Sequence, residues 1–197
     1  MVTDMVMGGI SRRAAMGWAA GAVAVLGGRF GRRALAAPSP LWIGTRLTAD
    51  GKSFATAFDA AGAAAVDIAL PARGHGIAVA PDQRTAVVLA RRPGLFAFAV
   101  SLPGGAVTHR FEPGAGRHFC GHGLYARGGA LFLATETDWE GERGLIGVYD
   151  VAAGYRRVGE WETGGLDPHD VRLLPDGARI VVANGGILTH PDAPGPS

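Results

Sequence analysis

The sequence predicts an all-β fold, a β-propeller of four-stranded antiparallel blades. Three observations predict it. Histidines 75, 122 and 169 recur at a constant interval of 47 residues, in Gly74-His75-Gly76, Gly121-His122-Gly123 and Pro168-His169-Asp170. Each opens a short apolar stretch that leads through a turn into a second one, with strand rather than helix patterning. The turns are supplied by 32 glycines and 12 prolines among 197 residues, with no collagen-like period. Four short strands in each repeat of about 40–50 residues are the mark of a propeller blade. A hydrophobic content of 48% supports a packed core and excludes a disordered chain. The single cysteine excludes a disulfide framework and c-type haem attachment.

Residues 1–36 read as an export signal. Ser11-Arg12-Arg13 precedes a mild apolar run, Ala14 to Gly28, and Ala34-Leu35-Ala36 is a small-x-small cleavage site. The pair Arg12 and Arg13 is similar to a twin-arginine signal, which implies export of folded protein to the periplasm. The run is short for a bilayer crossing, so no stable membrane span is expected after cleavage; the competing reading is an uncleaved amphipathic anchor. The whole chain carries 19 basic and 17 acidic residues, and five of the arginines lie in the signal. The chain beyond the signal is slightly acidic, which removes the basic footprint of a nucleic-acid binder.

Residues 40–191 are expected to hold the blades. Three strands precede His75, namely Leu41–Arg46, Ser53–Phe58 and Ala64–Ala69, so the first unit is expected to lack its innermost strand. The second unit runs from His75 through Thr85–Leu89, Leu95–Val100 and Val107–Phe111. The third runs from His122 through Ala130–Thr135, Gly144–Tyr149 and Arg156–Trp161. The fourth has the His169 strand and Arg179–Ala183. That makes thirteen strands and about 3.4 blades, with residues 192–197 an irregular tail. Open edges at both ends predict self-association.

The repeat residues, together with Arg117-His118-Phe119-Cys120-Gly121-His122-Gly123, Thr135-Glu136-Thr137-Asp138 and Asn184-Gly185-Gly186-Ile187-Leu188-Thr189-His190-Pro191, resemble one bacterial family, the domain of unknown function 1513. The resemblance runs from about Leu41 to Asp192. It implies an exported seven-bladed propeller about twice this length, of which this chain is similar to the N-terminal half. It also implies a genetic neighbourhood with imelysin-type iron-uptake proteins. It carries over no catalytic residues, and Cys120 stands where an aromatic residue is expected.

Blade geometry sends the candidate functional groups to one rim. His75, His122 and His169 open innermost strands, where they either converge as imidazole ligands for iron, copper or zinc or tie each loop to a neighbouring blade. His118, Cys120 and His122 alternate, a weak chelating pattern. Glu136 and Asp138 alternate at a strand end and are candidate oxygen ligands, the other reading being a solvated acidic hairpin. Asn184 and His190 complete the rim of a ligand or partner surface. Serine-hydrolase and phosphate-loop motifs are absent. The expected function is non-enzymatic binding of a metal ion or a periplasmic metal-uptake protein. A lactonase-like metal hydrolase and a pure protein scaffold are the alternatives.

Overall fold

The computed structural model describes residues 42–102 and 104–193. The signal with Arg12 and Arg13, and most of the tail, lie outside them.

Among the described residues thirteen strands form four antiparallel sheets of three, four, four and two strands. The first sheet is β1 (Trp42–Leu47), β2 (Ser53–Phe58) and β3 (Ala64–Leu70), and the second is β4 (Gly74–Val79), β5 (Thr85–Ala90), β6 (Ala97–Ser101) and β7 (Val107–Phe111). The third is β8 (Arg117–Ala126), β9 (Leu131–Asp138), β10 (Arg143–Asp150) and β11 (Arg156–Glu162), and the last is β12 (Pro168–Leu173) with β13 (Ile180–Asn184). Within each sheet the strands follow chain order. Arg127–Gly129 forms a single 3-10 turn. The architecture is a partial β-propeller.

Turn chemistry explains the hairpins. In Ala80-Pro81-Asp82 the carboxylate accepts the Arg84 N–H at 2.9 Å. One repeat pair further on, in Leu174-Pro175-Asp176, the equivalent carboxylate accepts the N–H groups of Ala178 and Arg179 at 3.0 and 3.1 Å. Such Asx turns set the reversal between the first two strands of a blade.

The core lies between sheets rather than inside one. Ala55, Ile68 and Leu70 pack on Val88, Phe98 and Val100 between the first and second blades. Val87, Leu89, Phe111, Phe119, Phe132 and Tyr149 fill the next space. Leu133, Ile146, Val148 and Val171 fill the third. Central strands are consequently covered on both faces. Val87, Val88 and Leu89 are consecutive and wholly buried, whereas the outer strands β7 and β11 are mostly exposed or half-buried.

One expectation is corrected. The first sheet does not lack its innermost strand, because β1 occupies that place beside β4. Thr45 Oγ1 donates to the His75 carbonyl at 3.5 Å, and a Cβ built on Gly74 would stand 2.8 Å from Thr45 Cγ2. Among the described residues the first sheet therefore has innermost β1 and no fourth, outer strand. Counting three strands back from His75 cannot tell which end of a sheet is short; the packing of Thr45 on Gly74 can.

Candidate metal centre

The innermost strands β4, β8 and β12 each lose their pairing register at the same place. In β4 the break falls between Gly74 and Ile77, in β8 between Phe119 and Gly123, and in β12 between Pro168 and Asp170. His75, His122 and His169 each lie within a break. An irregularity of this kind frees a side chain from the strict alternation of a strand and re-aims it.

The three rings meet. Ring centroids are 4.8 Å apart for His75 and His122, 5.1 Å for His122 and His169, and 6.0 Å for His75 and His169. One ring nitrogen from each lies within 4.8 Å of the others, and among the described residues this is the one such cluster of three or more His, Cys, Asp or Glu. Close approach of the strands depends on glycine. A Cβ at Gly76 would sit 2.2 Å from the Gly121 carbonyl oxygen, and one at Gly121 would sit 2.7 Å from His75 Cδ2. Gly121 also has φ +104°, where a side chain is strained.

The local electrostatics favour neutral imidazoles. Burial pulls the His75 ring below its ordinary value, reinforced by His122, His169, Arg91 and Arg73. Burial likewise lowers His122, with Asp170 opposing it. A neutral ring has a free lone pair to give a metal. His122 Nε2 is buried and has no hydrogen-bond partner, while its Nδ1 is 3.5 Å from Asp170 Oδ1. An unsatisfied buried nitrogen costs about 1–3 kcal/mol. A bound cation would satisfy it, so the residues present fit a metal.

The other candidates are placed differently. Glu136 is wholly buried, with Oε2 accepting from Arg157 Nη2 at 3.0 Å and Oε1 accepting from the Tyr149 hydroxyl. Burial raises its pKa against the pull of Tyr149 and Arg157. Asp138 accepts from Arg143 at 2.7 Å and from the Gly141 N–H at 2.8 Å, and the Arg143 contact holds its carboxyl low. Neither carboxylate joins the histidine cluster. His118 is also fully buried. Burial lowers its pKa against two carbonyls that oppose the shift: Nδ1 donates to the Phe119 carbonyl at 3.0 Å, and Nε2 lies 3.0 Å from the Thr189 carbonyl and 2.9 Å from the Thr189 hydroxyl. It stacks on Trp139, which meets His190 edge-on at 5.2 Å. His118 and Trp139 thus hold Thr189 and His190 of the segment after β13. Cys120 is buried against Thr137, and Asn184 donates to the Thr163 carbonyl at 3.2 Å.

Sequence reasoning missed Asp170. Its signal was a departure from the repeat, since His75 and His122 are followed by glycine and His169 by an acid.

The hydrazine synthase of Kuenenia stuttgartiensis is similar in fold, with a TM-score of 0.56 and 18% identity. The match covers 70% of this chain and 40% of that one, so this chain spans less than half the length of the solved chain. At that identity the likeness concerns the fold alone. No curated protein matches by sequence. Residues 68–195, which hold all three clustered histidines, match the family described as "Protein of unknown function (DUF1513)", and the chain belongs to that family.

Proposed function

We propose that the protein is an exported, non-enzymatic binding module that holds a transition-metal ion through His75, His122 and His169. The observation that carries this reading is the convergence of three ring nitrogens within 4.8 Å from three separate blades. Bonds of about 2.0–2.1 Å to zinc require tetrahedral nitrogens about 3.3 Å apart. Side-chain adjustment of about 1.5 Å at most closes the cluster onto an ion. Three imidazole nitrogens suit zinc, copper or iron and reject calcium and magnesium, which demand oxygen. The ion is cargo or anchor for a periplasmic metal-uptake partner, and the twin-arginine-like signal delivers the folded protein to that compartment.

The test is metal titration of the full chain purified without chelator or affinity metal. Zinc and copper are expected to bind with one-to-one stoichiometry, and calcium is not. Replacing all three histidines with glutamine should abolish binding while the β-sheet circular dichroism persists. Undiminished binding in that variant, or no uptake by the wild type at micromolar metal, refutes the reading.

A further inference from the structure

We infer that Asp170 is a positioning residue of this centre: its carboxylate holds the His122 ring through Nδ1 so that Nε2 is the nitrogen offered to the ion. The inference rests on the metal reading above and deepens it. Three contacts support it. Asp170 Oδ1 stands 3.5 Å from His122 Nδ1, and the opposite ring nitrogen is buried without a partner. Asp170 is itself held in place, because Oδ1 accepts the Val171 N–H at 2.9 Å and Oδ2 accepts from Arg172 Nε at 2.9 Å. Both oxygens are thereby engaged, which makes the carboxylate an outer support and not a fourth ligand.

The arrangement crosses between blades. Asp170 follows His169 on β12, yet it faces the histidine of β8. The fourth blade therefore contributes twice, one imidazole to the cluster and one carboxylate behind its neighbour's imidazole. The His122 backbone is also fixed, since its N–H donates to Thr135 Oγ1 at 3.3 Å and its carbonyl accepts from that hydroxyl at 3.0 Å. With its main chain held and a carboxylate 3.5 Å from Nδ1, the ring is biased toward offering Nε2. A carboxylate behind a ligating imidazole sets its tautomer and strengthens it as a donor.

Cobalt and zinc titrations of the full chain with Asp170→Asn, Asp170→Ala and Asp170→Glu test this. The Asn and Ala variants are expected to bind about 10–100-fold more weakly and to shift the visible absorption of bound cobalt, and Glu is expected to recover part of the affinity. Thermal midpoints on the same samples separate this from loss of fold. Independently of any variant, nitrogen-15 spectra of the metal-free wild type at pH 7.5 are expected to show the His122 proton on Nδ1. A proton on Nε2 overturns the inference, as do wild-type affinity and spectrum in both the Asn and Ala variants. If His122→Gln loses the metal while the Asp170 variants keep it, the inference fails alone. A wild type that takes up no metal overturns both.

Discussion

The His122 ring stands edge-on to the His75 ring, their planes 89° apart and their centroids 4.8 Å apart, although the two residues belong to different sheets. The contact exists because β4 and β8 pass so close that Gly76 and Gly121 have no room for a side chain. Gly121→Ala is therefore expected to push the His75 ring aside and strain the backbone at φ +104°. The cost is about 1–3 kcal/mol in stability, read by denaturant unfolding, together with a measurable loss of zinc affinity. Unchanged affinity with unchanged stability would mean that this close approach has no bearing on the cluster.

The wholly buried Glu136 pairs with the half-buried Arg157, whose Nη2 also meets Glu160 at 2.9 Å and whose Nε has no partner. Neutralising Glu136 leaves Arg157 with Glu160 as its anionic partner but weakens the bonds that satisfy a buried carboxyl. Glu136→Gln is expected to destabilise the protein by about 1–3 kcal/mol in urea unfolding. Its zinc affinity should stay within about twofold of wild type wherever the fold persists. A strong metal defect without a stability defect would restore Glu136 as a ligand.

His118 provides a pH response. Burial lowers its folded pKa below the ordinary imidazole value of about 6.5. The unfolded chain then takes up a proton before the folded one does, so the stability His118 contributes is complete above about pH 6.5 and is lost as pH falls toward the folded value. His75 and His122 shift in the same direction. Denaturation midpoints should drop between pH 7.5 and pH 5.5, with a shallower drop in His118→Gln. Equal slopes in the two proteins count against the assignment.

Cys120 is expected to be inert. It is 1% exposed, and burial pushes its thiol up to about 12. Thiolate is the reactive form, so the native protein should resist a thiol-specific disulfide reagent at pH 8 and react with one equivalent after unfolding. Rapid native labelling would show that the β8 strand opens locally.

The 47-residue interval made the strands and the histidine cluster legible, because a repeat in sequence becomes a rotation about an axis and brings equivalent residues together. Relations that break the repeat were not legible. Glu136 at a strand end reads as solvent-facing until β10 and β11 bring Tyr149 and Arg157 across it. Asp170 sits next to one histidine in the chain but serves the histidine of another blade, and local pattern carries no record of that. The place of β1 was hidden for the same reason, since its partner β4 is fixed by packing between sheets.

The register breaks have an evolutionary corollary. When a unit is copied, its kink is copied with it, and each copy brings one more nitrogen to the central axis. The number of donors around an ion is then governed by how many units carry the kink, so denticity can grow or shrink by duplication and point substitution without redesigning the scaffold.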